Sequence, residues 1–360
     1  MKAARNRPVR VVHVDDSLVC RNMARKLLEP GDGIEIVGQA EHPYAALELL
    51  QGLERPDVIL LDLEMPLMNG LTFLKLLMRT ARIPVVVFSS FTQPNSAALI
   101  EALAHGAVDV LCKPAHPAEY AFTAGRLREA LQIAASSAPD APTRQQTGTQ
   151  GAAPATPGRD HGPERVDVIG IGASTGGPQA FQRILPGLRP DGPPIVLAQH
   201  MPPGLMPAFV HWLGKLAPCP VEAARDRVPL VAGTIHVAAG PRHLCVERDA
   251  GRLVTHLSST PLGGLHRPSI DVMFDSVARA AGAYAVGVIL TGMGRDGAAG
   301  LLAMRQAGGY TLAEHASTCV VNGMPLEAVR LGAAREETPL DRIPDRISTL
   351  VHGDPCHART

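Results

Sequence analysis

A serine, a histidine and an aspartate in the second half of the chain each follow a predicted β-strand. Ser174 lies in the glycine-rich segment GIGASTGGP, His200 in AQHMPPG and Asp296 in ILTGMGRDGAAG. Open α/β sheets place functional residues at the carboxyl ends of their strands. Because a nucleophile, a base and an orienting acid can occur in any order along a chain, these residues predict a serine hydrolase triad.

The glycine-rich segment around Ser174 admits a second interpretation, a dinucleotide-binding loop. That fingerprint, G-x-G-x-x-G, requires glycine where Thr175 stands and an acid after the next strand, which ends instead at Gln199 and His200. The segment fits better the nucleophile turn G-x-S-x-G, in which small residues expose a serine. A nucleotide-dependent oxidoreductase remains an alternative that cofactor titration tests. The later turn Gly292-Met293-Gly294 exposes backbone N–H groups that suit an oxyanion site.

Acidic side chains also follow predicted strands in the first half of the chain. Asp15 and Asp16 follow the first strand and Asp62 ends the third, while Ser89 and Lys113 follow the fourth and fifth. Converging carboxylates suit a hard divalent cation such as Mg²⁺, and a lysine opposite them stabilises added negative charge. The pattern therefore predicts a carboxylate that accepts a phosphoryl group.

A simpler explanation for Asp15 and Asp16 is that they cap the first helix, as acidic residues often do. Capping does not explain why Asp62, Ser89 and Lys113 occur at the ends of later strands. The recurrence at successive strand ends favours a phosphoryl site.

Strands and helices alternate before and after one stretch of different composition. Residues 134–164 are rich in Ala, Pro, Thr, Gln and Gly and hold no large apolar side chain, which predicts a flexible linker. About five β-α units precede it and a similar pattern follows. We predict two doubly wound, mainly parallel α/β domains of three layers each, over residues 8–134 and 165–351, with 135–164 as the linker.

Composition excludes several classes of function. The chain of 360 residues has 34 basic and 34 acidic side chains and only 3% aromatic residues, which argues against nucleic-acid binding. The six cysteines are far apart and form no C-x-x-C pair, which disfavours a disulfide scaffold or a thiolate zinc site and fits a reducing cytosol. No signal peptide or apolar run of about 20 residues occurs, so we expect a cytoplasmic protein without direct membrane insertion.

The first domain resembles a response-regulator receiver domain through VDDS (14–17), LDLEMPLMNG (61–70), FSS (88–90) and KP (113–114). The resemblance implies a flavodoxin-like fold in which Asp62 is the phosphoacceptor. It also implies that Asp15 and Asp16 hold Mg²⁺ together with Asp62. Ser89 would then be the switch hydroxyl and Lys113 would contact the phosphoryl group. Asn69 stands where many relatives have Asp, a change that we interpret as neutral because Asn also suits a turn.

The second domain resembles the protein-glutamate methylesterase domain of CheB, the chemotaxis response regulator. The motifs that carry the resemblance are GIGASTGGP, AQHMPPG, RPSIDVMFDSVA, LTGMGRDGAAGL and CVVNGMP. It implies that Ser174 is the nucleophile, His200 the general base and acid, and Asp296 the orienting acid. The Met293 backbone N–H is the implied oxyanion donor. Glu314, near which relatives often have Gln, and the tail 352–360 depart from the family pattern.

The resemblance implies hydrolysis of glutamate methyl esters on methyl-accepting chemoreceptors and deamidation of specific receptor glutamines. A chemotaxis histidine kinase is the implied phosphodonor, with Mg²⁺ needed for phosphorylation and no cofactor needed for ester hydrolysis. We expect the unphosphorylated receiver to hinder access to Ser174 and phosphorylation of Asp62 to relieve this. A receiver with a non-enzymatic output, such as an adaptor or DNA-binding domain, is the alternative from another class.

Overall fold

The computed structural model describes residues 7–28, 33–90, 96–137, 163–259 and 267–353. Within these residues the chain divides into two compact units, one before and one after the predicted linker. Each unit is a parallel sheet with helices, which confirms the predicted α/β class.

The first unit is built on five parallel strands, of which the three central ones are almost completely buried. The strands are β1 (Val9–Val14), β2 (Ile34–Ala40), β3 (Val58–Leu61), β4 (Val85–Ser89) and β5 (Asp109–Cys112). Their spatial order is β2-β1-β3-β4-β5, the order of flavodoxin-like doubly wound sheets. Asp62, Ser89 and the residues after β1 and β5 consequently lie at one edge of this sheet.

Helices connect these strands. They are α1 (Leu18–Leu27), α2 (Pro43–Gly52), α3 (Gly70–Thr80), α4 (Ser96–Ala104) and α5 (Tyr120–Ser137). Helix α1 packs with α5 and α3 packs with α4, as expected when crossovers of one hand cover both faces of a sheet. Asn69 caps α3 because its side-chain oxygen accepts the Leu71 N–H at 2.7 Å.

The second unit has a seven-stranded parallel sheet in the described residues. Its strands are β6 (Val168–Ala173), β7 (Ile195–Gln199), β8 (Val221–Ala223), β9 (Ile235–Val237), β12 (Ala285–Ile289), β13 (Tyr310–Glu314) and β14 (Glu336–Thr338). Between β9 and β12 the chain forms two further strands, β10 (His243–Asp249) and β11 (Arg252–Ser258). The order is β14-β13-β12-β6-β7-β9-β8, with β10 and β11 paired separately. Strands β7, β8 and β9 thus lie on one side of β6, and the later strands β12, β13 and β14 lie on its other side.

The helices of the second unit include one that reaches the central strand. They are α6 (Gly177–Ile184), α7 (Met206–Leu216), α8 (Ile270–Ala281), α9 (Ala298–Gln306), α10 (Met324–Arg330) and α11 (Ile343–His352). A Cβ added at Gly172 of β6 would lie 2.3 Å from Ile270 Cγ2, and one at Gly170 would lie 3.1 Å from Phe274 Cε1. The two glycines thus let α8 approach β6 closely.

Some elements differ from the sequence-based prediction. Strands β10 and β11 form an antiparallel hairpin where the sequence indicated only short strands and turns, and β14 and α11 were not predicted. Helix α5 continues to Ser137, slightly beyond the predicted start of the linker at 135. Most of the predicted linker, residues 138–162, and the tail residues 354–360 lie outside the described residues.

None of the helices in the described part of the chain has the length and apolar character that crossing a bilayer requires.

Candidate active site and phosphorylation site

Ser174, His200 and Asp296 come together at the carboxyl edge of the second sheet. Ser174 directly follows β6, and His200 directly follows the neighbouring strand β7. Asp296 lies in the loop after β12, which pairs with the other side of β6. The site therefore sits where the sheet order reverses around β6, which is where doubly wound sheets bind their ligands.

The three side chains form one hydrogen-bonded chain. His200 Nδ1 lies 3.2 Å from Ser174 Oγ, and His200 Nε2 lies 2.7 Å from Asp296 Oδ2. The imidazole and carboxyl side chains are only 8% and 14% exposed. Because a carboxylate accepts hydrogen bonds, Nε2 carries the proton that is shared with Asp296, and the unprotonated Nδ1 faces the Ser174 hydroxyl.

Asp296 is held by the first turn of α8. Its Oδ2 accepts the Ile270 N–H at 2.8 Å, and its Oδ1 accepts the Asp271 N–H at 3.0 Å and the Ser269 hydroxyl at 2.9 Å. Burial acts to raise the pKa of Asp296, but the bond from His200 and these backbone donors hold it well below its usual range. Asp296 is thus a fixed carboxylate that is hydrogen-bonded to His200 Nε2.

Ser269 lies in the motif RPSIDVMFDSVA, but the sequence pattern did not indicate that it contacts Asp296. It is the N-cap of α8 and is 4% exposed. We expect Ser269→Ala to lower kcat about tenfold, because Asp296 loses a charge-assisted hydrogen bond that restrains its orientation. Ser276→Ala in the same helix is the control. It removes bonds to Met273 O and from the Val246 N–H, away from the triad, and should affect the melting temperature but not kcat.

The nucleophile turn depends on the absence of side chains at its glycines. Gly176 has φ +83, in the left-handed region, and a Cβ there would lie 2.5 Å from Val320 Cβ. A Cβ at Gly177 would lie 1.9 Å from Gln199 Oε1. Gln199, which the sequence pattern did not single out, donates from Nε2 to the carbonyls of Ser174 and His200, at 2.9 Å each. It ties the nucleophile turn to the strand that carries His200.

The loop that follows β12 packs directly on Ser174. A Cβ added at Gly292 would lie 2.7 Å from Ser174 Cβ, so only glycine fits there. Met293 is 37% exposed, and its N–H has no acceptor among the described residues. An N–H without an acceptor, in the residue after the glycine that packs on Ser174, suits an oxyanion site.

Glu314 is a buried acid at the same sheet edge. It ends β13, is 1% exposed and accepts the Thr291 N–H on Oε2 at 2.8 Å. Its Oε1 has no hydrogen-bond partner among the residues that the structure describes. Burial raises the pKa of Glu314 above its usual value.

The raised pKa of Glu314 predicts a pH-dependent stability difference. Below its unfolded-state pKa the carboxyl is neutral in both states, and stability falls as pH rises through the higher folded-state pKa. We therefore expect the melting temperature of Glu314→Gln, relative to wild type, to increase from about pH 4 to about pH 8. Trp212, the single tryptophan, lies in α7 and reports unfolding of this unit. Glu337→Gln, at an exposed glutamate of β14, should show no such trend, and a flat difference for Glu314→Gln would contradict the assignment.

In the first unit the carboxylates, the serine and the lysine also meet at one sheet edge. Ser89 Oγ donates to Asp62 Oδ1 at 2.5 Å, and Lys113 Nζ lies 2.5 Å from Asp62 Oδ2 and 2.7 Å from Asp15 Oδ2. Burial acts to lower the pKa of Lys113, but the Asp62 and Asp15 carboxylates raise it. Asp62 is 4% exposed and has both oxygens engaged.

Asp15, Asp16 and Asp62 offer carboxylate oxygens that all lie within 4.8 Å of one another. Oxygen ligands grouped in this way fit a hard divalent cation. The predicted metal ligands are therefore brought together, and the donor set fits the expected type of ion.

Comparison with known proteins identifies the family. Residues 169–347 match the family model of the CheB methylesterase, and residues 11–122 match that of the response regulator receiver domain. The chain is 45% identical over 346 residues to protein-glutamate methylesterase/protein-glutamine glutaminase 4 of Anaeromyxobacter dehalogenans, an alignment that covers 96% of both chains. This chain belongs to the CheB methylesterase family. The resemblance inferred from its motifs is thus confirmed.

Further relatives agree with this assignment to the CheB methylesterase family. A protein-glutamate methylesterase/protein-glutamine glutaminase 2 of Pseudomonas aeruginosa is 41% identical over 343 residues, covering 93% of this chain and 95% of the relative. The crystal structure of the Thermotoga maritima CheB methylesterase catalytic domain aligns with a TM-score of 0.51 and 34% identity, covering 52% of this chain and 99% of that one. The second unit accordingly has the fold of a CheB catalytic domain.

Proposed function

We propose that the chain is a phosphorylation-regulated hydrolase that demethylates glutamate methyl esters on methyl-accepting chemoreceptors and deamidates specific receptor glutamines. The observation that carries the proposal is the continuous hydrogen-bonded chain from Ser174 through His200 to Asp296. The proposal is supported by the relatives, which are named for glutamate methylesterase and glutaminase activities. It accounts for both family models that match the chain.

Ser174 is the nucleophile in the proposed reaction. Its Oγ attacks the ester carbonyl carbon while His200 Nδ1 takes the hydroxyl proton, and Asp296 stabilises the imidazolium that forms. The Met293 N–H donates to the developing oxyanion. His200 then protonates the leaving methanol, and an acyl group remains on Ser174.

Water completes the cycle. His200 removes a proton from a water molecule that attacks the acyl group, and Ser174 Oγ leaves with the proton returned by His200. The product is a glutamate carboxylate. A glutamine substrate follows the same steps and releases ammonia in place of methanol. These steps use no cofactor, since His200 handles every proton.

Asp62 is the proposed phosphoacceptor of the first unit. Its carboxylate oxygen forms a bond to the phosphorus of a phosphodonor while the bond from phosphorus to the donor breaks and the donor group leaves. In the cell the donor is a chemotaxis histidine kinase. Asp15 and Asp16, with Asp62, would hold Mg²⁺, which neutralises charge on the transferred phosphoryl group. Lys113 pairs with the phosphoryl oxygens, and the Ser89 hydroxyl leaves Asp62 Oδ1 to bond the phosphoryl group instead.

We further propose a receiver domain over residues 8–134, a flexible linker over 135–164 and a catalytic domain over 165–351. The linker keeps the two domains at high effective concentration, so that phosphorylation of one controls the other. The site of action is the cytoplasm, where the kinase supplies the phosphoryl group.

Mass spectrometry of receptor peptides tests the proposed function. Incubation of methylated chemoreceptor membranes with the full chain should remove the mass of one methylene from each esterified peptide and convert specific glutamines to glutamates. The methanol released should equal the number of methyl esters lost, and the ammonia released should equal the number of glutamines converted. Unchanged peptides after incubation with folded protein would favour the adaptor function over the enzymatic one.

A further inference from the structure

Thr291 connects three segments around the nucleophile. Its carbonyl accepts the Ser174 N–H at 3.0 Å, and its hydroxyl donates to the Thr175 carbonyl at 3.0 Å. The same hydroxyl oxygen accepts the Val321 N–H at 2.9 Å. Thr291 is 1% exposed, so solvent does not replace these bonds. The position of its main chain therefore fixes where the nucleophile turn and the following loop meet.

Glu314 supplies the remaining bond to Thr291. The Thr291 N–H donates to Glu314 Oε2 at 2.8 Å, and Glu314 itself ends the buried strand β13. The other groups that act on its carboxyl are the Thr318 hydroxyl, the Cys319 thiol and the Arg183 guanidinium, none of which belongs to the triad. Its carboxyl is therefore placed to act on the loop and not on the triad.

The loop beyond Thr291 packs tightly against Ser174. Gly292 lies so close to Ser174 that a Cβ on it would be 2.7 Å from Ser174 Cβ. The Gly292 N–H donates to the Val321 carbonyl at 3.0 Å, and the Gly292 carbonyl accepts the Met324 N–H at 2.8 Å. A displacement of Thr291 is thus passed directly to Gly292 and to Met293, the next residue.

We propose that Glu314 is a positioning residue whose buried carboxyl fixes the Thr291 main chain and thereby places the Met293 N–H over Ser174. The inference rests on the proposed function, because it takes Ser174 as nucleophile and Met293 as oxyanion donor. An amide N–H that is buried requires an acceptor, and no other acceptor pairs with the Thr291 N–H in the described residues. Loss of that acceptor shifts the loop, and small misplacement of a donor costs rate more than binding.

Steady-state kinetics of two substitutions of equal length test the role of Glu314. Glu314→Gln keeps an oxygen acceptor for the Thr291 N–H, and its kcat should stay within about threefold of wild type. Glu314→Met removes the acceptor without shortening the side chain. Its kcat should fall about thirtyfold while KM changes less than about twofold, because only the oxyanion donor is displaced.

Thr311→Val is the matched structural control on the same strand. Thr311 is fully buried, and its hydroxyl donates to the Ala333 carbonyl at 2.7 Å and accepts the Arg335 N–H at 3.0 Å. The substitution should lower the melting temperature and leave kcat unchanged. Equal kcat losses in Thr311→Val and Glu314→Met, or a kcat for Glu314→Met within threefold of wild type, would overturn the proposal.

Glu314→Asp covers the case in which Glu314→Met does not fold. It keeps the carboxyl group but withdraws it by one methylene from the Thr291 N–H, so kcat should fall as in Glu314→Met. A wild-type kcat in Glu314→Asp would refute the positioning role.

Labelling of Ser174 by an alkyl fluorophosphonate separates this inference from the proposed function. Ser174 Oγ forms a bond to phosphorus, fluoride leaves with the P–F bond pair, His200 takes the proton, and the P=O oxygen occupies the oxyanion site. The labelling rate of Glu314→Gln should be close to that of wild type, and the rate of Glu314→Met should be lower than both. If receptor esters are not cleaved but this order holds, the substrate assignment fails and the positioning role stands. Equal labelling rates would refute the positioning role.

Discussion

Ser174→Ala is expected to abolish nearly all release of methanol from methylated receptors, with kcat lower by about 10⁴-fold or more. Without Oγ no acyl-enzyme forms, and His200 has no hydroxyl at 3.2 Å to deprotonate. A small residual rate remains, because the Met293 N–H still stabilises the oxyanion when His200 activates water instead.

Ser317→Ala is the control for this large loss. Ser317 is exposed and its hydroxyl contacts the His315 ring at 2.8 Å, in the loop after β13 at the same sheet edge. Its kcat should equal that of wild type. Initial rates of methanol release at saturating receptor, with circular dichroism to show that both variants are folded, provide the measurement. A Ser174→Ala variant that turns over at more than a tenth of the wild-type rate would remove Ser174 from the nucleophile role.

Asp62→Asn is expected to abolish both phosphorylation and the response to a phosphodonor. The amide lacks the carboxylate oxygen that attacks phosphorus, although it preserves the shape of a side chain that is 4% exposed. The amide also loses the negative charge that pairs with Lys113 at 2.5 Å and that a divalent cation requires. Methanol release in this variant should therefore be the same with and without an acyl phosphate and Mg²⁺.

Asp57→Asn is the matched control at the opposite end of β3. Asp57 lies before the strand, where its carboxylate accepts the Arg10 N–H at 3.0 Å. Incorporation of labelled phosphate from the acyl phosphate should be normal in Asp57→Asn and absent in Asp62→Asn. Phosphate that remains on the chain in Asp62→Asn, and still stimulates methanol release, would assign the phosphoacceptor to another residue.

The sequence was sufficient to predict the members of the site because parallel strands align their carboxyl ends. Ser174 and His200 follow strands that are consecutive in the chain and adjacent in the sheet, so their proximity follows from local connectivity. Asp296 is different. Its proximity depends on β12 pairing with the far side of β6, a contact between residues more than a hundred positions apart. The position of Asp296 after a predicted strand indicated that it joins the site, and the motif resemblance supported that prediction.

The supporting residues were not predictable for a physical reason. Ser269 acts on Asp296 across 27 positions, and Glu314 acts on a backbone N–H in a loop whose path no sequence pattern specifies. The sequence feature that pointed to Glu314 was its position at the end of a predicted strand, where functional residues of α/β sheets lie. The β10–β11 hairpin was missed because its two-residue turn places Ala250 at φ +45 before Gly251 at φ +84. Asn or Asp is more usual at the first of these positions.

The central claim is that one chain joins a serine esterase to a phosphorylation switch. Its most direct test is the initial rate of methanol release by the wild-type chain from one preparation of methylated chemoreceptor membranes, measured with and without an acyl phosphate plus Mg²⁺. We predict release in both conditions and a higher rate with the phosphodonor. Equal rates in the two conditions would contradict control by Asp62, and no methanol from folded protein would contradict the esterase itself.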